Sequence, residues 1–100
     1  MSLELAQLFC LRIPESVGPV RLKINSTLSA VLAFASSEAA VRCARVNHFY
    51  PDVVPLMEFF SDELARESLV IFHSAEEVAL AYEKQREHNF AAYLHPWPSK

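Results

Sequence analysis

Two short apolar runs, AVLAFA at 30–35 and SLVIFH at 68–73, pass with no loop between into a serine and a stretch of helical periodicity. This coupling constrains the fold more than any other feature of the chain. A near-continuous apolar run of this length is the pattern of an inner strand covered on both faces. After the first run, Ser36 and Ser37 lead into EAAVRCARVNHF, where Ala40, Val41, Ala44 and His48 recur at helical spacing. After the second, Ser74-x-x-Glu77 matches a capping box, in which the hydroxyl accepts the amide three residues on and the carboxylate reaches back to the serine's own amide. A helix is therefore expected from Ser74 to about His88. Apolar strands beside amphipathic helices imply an α/β (or α+β) sandwich: a sheet of three to five strands with two or three helices packed on it.

The two units also align with each other. An offset of 38 residues pairs Phe34 with Phe72, Ser36 with Ser74 and Glu38 with Glu76, a weak internal strand–helix repeat over 31–44 and 69–82. The same offset sets Cys43 against Ala81, on the side of each helix that should face the sheet.

The remaining elements are read from period and punctuation. LFCLRI (8–13) and VRLKI (20–24) alternate with period two around PESVGP, which predicts a hairpin or two neighbouring strands. Phe9, Leu11, Ile13, Val20, Leu22 and Ile24 then share a buried face, with Cys10, Arg12, Arg21 and Lys23 on the other. Leu56, Met57, Phe60 and Leu64 form a helical stripe, and Pro55 suits a first turn, so a helix is expected over 55–66. NFAAYLH (89–95) reads as a final edge strand before PWPSK, whose prolines cannot extend a ladder.

One hundred residues predict a single domain over 1–100. No apolar run approaches the roughly 20 residues that span a bilayer, and the N-terminus lacks the order of a signal peptide, so a soluble cytoplasmic protein with no membrane partner is expected. Cys10 and Cys43 are too few for a disulfide scaffold and lie in no metal-ligand spacing, so no metal site is expected. The lone glycine, Gly18, excludes the glycine-rich phosphate loops, and no cofactor is expected. Net charge is −3, with an acidic excess confined to residues 51–100, which disfavours a nucleic-acid partner.

Four residues are candidates for chemistry. In open α/β sheets ligands gather beyond the carboxyl ends of strands, which singles out the elbows at Ser36, His73 and Ser74, with His73 as general acid or base. Glu38, Glu76 and Glu77 argue against an anion there, because they already meet the positive helix ends. Cys10 shares its strand face with Arg12, Arg21 and Lys23, and cations lower a thiol pKa. Cys43 reads as a small buried hydrophobe. Glu58, Asp62, Glu63 and Glu67, paired at i,i+4, read as a solvated helix face.

No catalytic constellation emerges, and the enzyme reading is secondary. A hydrophobic fraction of 52% is high for so short a chain, and Phe90, Tyr93 and Trp97 crowd the tail. The expected function is a small non-catalytic protein-interaction or regulatory module that pairs with itself. One alternative is a small-molecule binder or enzyme at the elbows. Another is an acidic inhibitor or immunity-type protein that binds a basic partner through its 58–87 surface.

Overall fold

The computed structural model describes residues 7–14, 18–48, 51–84 and 93–95. Their order along the chain is β1 (Phe9–Arg12), β2 (Arg21–Lys23), β3 (Ser29–Phe34), α1 (Ser37–Val46), β4 (Asp52–Pro55), 3-10 turns at Leu56–Phe59 and Leu64–Arg66, β5 (Leu69–Phe72), α2 (Ala75–Ala79) continued by a π-helical turn at Leu80–Lys84, and β6 (Leu94–His95). The fold is the expected small mixed α/β arrangement, one sheet with two α-helices. The expected three to five strands are found as five lanes, in the order β4-β1-β3-β5-β6, with β2 paired to β3 beside that path.

The centre of the sheet is the parallel pair β3 and β5. Its register matches Val31 with Leu69, Leu32 with Val70, Ala33 with Ile71 and Phe34 with Phe72. That is the 38-residue offset read in the sequence, so equivalent residues of the two units lie side by side. Every residue of β5, and β3 from Ala30 onward, is buried, as continuous apolar runs require. Alternation divides them between two cores. Ala30, Leu32, Phe34, Val70 and Phe72 face α1 and α2, where Ala39, Ala40, Cys43, Val78 and Ala81 meet them. Val31, Ala33, Leu69 and Ile71 face the other way, together with Leu8, Cys10, Val54, Leu56 and Leu64.

The hairpin expected from 8–24 is not formed. β1 and β2 both run antiparallel to β3 and occupy one edge of it end to end: Phe9 and Cys10 oppose Phe34 and Ala33, whereas Arg21, Leu22 and Lys23 oppose Val31, Ala30 and Ser29. The lane is one strand interrupted by an excursion. Val20 rejoins it by donating its amide to Leu11 O and accepting from Leu32 N. Gly18, at φ +84°, supplies the left-handed turn of the return. The face assignment survives this correction: Phe9, Leu11, Val20, Leu22 and Ile24 all join the helix-side core, while Ile13, past the end of β1, is exposed.

The helix expected over 55–66 is also replaced. Asp52–Pro55 pairs with β1 as an edge strand, and Leu56–Phe59 makes a single 3-10 turn. Phe60 is extended (φ −59°, ψ 131°). Ser61 then restarts the chain by accepting the Leu64 amide at 3.0 Å. Leu56 and Leu64 are buried, but Met57 and Phe60 are exposed, so the apolar stripe is divided between two turns instead of lying on one helix. Residues 56–66 thus form a strap across the sheet face opposite the helices. Of the final strand expected over 89–95, residues 89–92 lie outside the described residues; Leu94 and His95 pair antiparallel with Val70 and Leu69 at the edge of the sheet.

Candidate functional site

Parallel pairing of β3 and β5 brings both strand-to-helix elbows to one end of the sheet, and Ala35 N donates to Phe72 O at 3.0 Å where the strands leave it. Ser36 and Ser74 are extended N-caps, at φ −143° and −147°. The Ser36 hydroxyl accepts from Ala39 N at 3.2 Å and the Ser74 hydroxyl from Glu77 N at 3.3 Å. Each hydroxyl oxygen therefore serves a helix end, a role worth about 1 kcal/mol.

The second half of the capping box differs from expectation. Glu77 accepts from the amide of His73, not Ser74, at 2.5 Å, and the same oxygen lies 3.1 Å from His73 Nδ1. The carboxylate closes the elbow one residue earlier because it also meets the imidazole. His73 remains exposed at the end of β5, so the elbows assemble as the sequence suggested, with their serines occupied by helix capping.

Cys10 is the larger correction. It lies on the face opposite the helices, as alternation required, but is fully buried in one apolar cluster with Val54, its neighbour on β4, and with Leu56 and Leu64, where the cationic face had pointed to a lowered thiol pKa. Burial pushes the thiol up to about 12; the Glu58 carboxylate adds to the rise, and Arg12 only partly opposes it. Two of the cations of its face, Arg12 and Arg21, are turned to carboxylates instead. Arg12 Nη2 lies 3.2 Å from Asp52 Oδ2, and its Nη1 lies 3.6 Å from Glu58 Oε2. Arg21 grips Glu67 with two bonds of 2.8 Å. The second pairing raises the Arg21 pKa and lowers that of Glu67, each mainly through the hydrogen bond. Glu58 and Glu67 are accordingly clips between strap and sheet, not members of a solvated helix face.

Cys43 takes the buried position predicted for it, on the sheet side of α1. Burial pushes its thiol up to about 11, while hydrogen bonds to Tyr82 and Asn47 pull the other way. Asn47 Nδ2 also donates to Cys43 O at 2.8 Å and ends the helix. His48 follows at φ 57°, the left-handed position after a helix C-cap. Of the aromatic tail, Tyr93 packs on Phe72 with ring centroids 4.8 Å apart, and Phe72 stacks on Phe34 at 6.2 Å. Phe90 and Trp97 lie outside the described residues, as does His88.

Among the described residues no three His, Cys, Asp or Glu side chains gather as a metal-binding group, and no helix is long and apolar enough to cross a membrane. The contact the sequence did not reveal is the pair of arginine clips. Comparison of the chain with protein-family models, with curated proteins and with solved structures found no match.

Proposed function

We propose that the protein is a small non-catalytic protein-interaction module whose partner surface is the outer side of the strap. The observation that carries this reading is the pair Met57 and Phe60. Both are large and apolar, and both keep surface open to solvent, 48% of Met57 and 36% of Phe60, in a segment whose other apolar residues are buried or half-buried. Isolated exposed apolar residues are ordinary on any surface. Here the two stand three residues apart on one turn, and the Phe60 amide bonds back to Met57 O. The thiols and serines that could have supported catalysis are buried or engaged in capping, which supports the same reading.

A second copy of the chain is the first partner to test. Tyr93 no longer argues for it, since it packs on Phe72 within the chain. The experiment is size exclusion with light scattering from 1 to 200 μM for the unaltered chain and for Met57→Ser/Phe60→Ser. A dimer that the double substitution dissociates supports self-association through the strap. A monomer throughout removes it.

A basic partner protein is the second reading, favoured by Glu58, Asp62 and Glu63, all exposed on the same segment. Acidic groups meeting across a two-fold axis repel, whereas a cationic surface would be attracted. Binding of a lysine-rich peptide that weakens with salt and is lost in the Met57→Ser/Phe60→Ser variant supports this version. Binding that the double substitution leaves unchanged contradicts it.

A further inference from the structure

The two faces of the sheet are closed by different means. α1 and α2 close one, α1 with a ten-residue helix whose backbone bonds are internal and whose ends are capped at Ser36 and Asn47, α2 with a shorter helix capped at Ser74. The strap closes the other with two single 3-10 turns separated by residues 60–63, the first of them extended. Short 3-10 turns have poor hydrogen-bond geometry and little cooperative stability of their own. Their hold on the sheet comes from Leu56, Phe59 and Leu64 beneath, from the Leu56 amide bonded to Leu8 O at 3.0 Å, and from two arginines: Arg12 on Glu58 in the first turn and Arg21 on Glu67 after the second. All of these charged side chains are partly open to solvent, so the clips respond to salt.

We propose that residues 56–66 form an openable strap, clipped by Arg12 and Arg21, that uncovers the apolar sheet face around Cys10 while the helix-covered face stays closed. Opening breaks the single backbone bond from Leu56 N to Leu8 O but leaves the strand ladders in place, β4 bonded to β1 and β5 to β3. It exposes a surface made by Leu8, Cys10, Val31, Ala33, Leu69 and Ile71. Local opening of this kind costs less than global unfolding where a segment has few buried contacts and weak backbone bonding. Clips that release under ionic or protein competition would couple that surface to the environment.

The chain contains its own reporters. Cys10 lies under the strap and Cys43 under the helices, and both are fully buried. The test measures reaction with 5,5′-dithiobis(2-nitrobenzoate) under native conditions at pH 8 on two single-thiol proteins, Cys43→Ala and Cys10→Ala, with circular dichroism to confirm that each is folded. The expected result is that Cys10 reacts at least about tenfold faster than Cys43. Raising NaCl from 0.05 to 1 M, or introducing Arg12→Gln/Arg21→Gln, should speed Cys10 about three- to tenfold and leave Cys43 within a factor of two. The salt arm uses no clip substitution, so it stands even if the double variant fails to fold. Equal rates at the two thiols with the same denaturant dependence, or a Cys10 rate indifferent to salt, would overturn the proposal. So would a Cys10 rate that rises on tenfold dilution, since that assigns the cover to a second copy and not to the strap.

Discussion

The helix-side and strap-side cores are built on the same three central lanes, yet they differ in what covers them. On the helix side two parallel units place equivalent residues together, so Ser36 beside Ser74 and Phe34 beside Phe72 repeat one solution. Their cover has its own hydrogen bonds and caps. On the strap side the cover, among the described residues, is an irregular segment whose turns are held by Ser61, by apolar contacts and by two arginines. A sheet can thus be dry on both faces while only one cover is stable as secondary structure. The other depends on side chains that solvent reaches.

The comparison breaks first if large losses on the two faces behave alike. Phe72→Ala removes a ring stacked between Phe34, Tyr82 and Tyr93 and should cost about 3–5 kcal/mol of global stability in urea unfolding. Leu64→Ala, at a strap residue only 5% exposed, should cost about 2–3 kcal/mol, with part of the loss appearing as faster exchange of strap amides alone. Equal and wholly global effects at both sites would erase the distinction.

Alkali acts on both faces at once. The two buried thiols have folded pKa values raised above 9, to about 12 for Cys10 and about 11 for Cys43, so the folded state holds protons that the unfolded chain has released. Their stabilisation is whole below pH 9 and declines as pH rises toward those values, by up to about 1.4 kcal/mol per pH unit for each thiol. Cys10→Ala and Cys43→Ala should each flatten this decline, measured by unfolding from pH 8 to 11. A decline left unchanged by both substitutions would contradict the assignment.

Smaller effects sharpen the contrast. Ser36→Ala and Ser74→Ala should each lower stability by about 1 kcal/mol, without changing strap exchange. Arg21→Gln should cost under about 1 kcal/mol at neutral pH. Because Arg21 holds the Glu67 carboxyl below its ordinary 4.5, that contribution is present above this value and is lost as pH falls through the lowered folded pKa. The variant should therefore lose less stability than the unaltered chain on acidification below pH 4.5. An unchanged acid limb would show that the clip carries no energy.

The helix side was legible in the sequence because its signals are local. An apolar run, a serine and an amphipathic stripe specify strand, cap and helix one after another, and the 38-residue offset became the register of β3 on β5. The strap was not legible. Leu56, Met57, Phe60 and Leu64 satisfy helical spacing, and Pro55 suits a helix start as well as the unpaired side of an edge strand. Ser61 was the available sign of a break, since a serine three residues before Leu64 caps a new turn. The hairpin reading failed because adjacency favours pairing of 8–13 with 20–24, whereas both segments gain more by lying along the buried β3. Cys10 was misjudged for a related reason: its face looked cationic and open until a nonlocal segment covered it and drew Arg12 and Arg21 to its carboxylates.

Amide hydrogen exchange, followed residue by residue by NMR at neutral pH, weighs the difference between the two covers most directly. The account predicts that the amides of Leu64, Ala65 and Phe60 exchange through openings at least about 2 kcal/mol easier than those of Val41–Val46 in α1, and that added salt narrows protection in the first group only. Matching opening energies for the strap and α1, unaffected by salt, would mean that the sheet has two equivalent covers and that the arginine clips hold nothing.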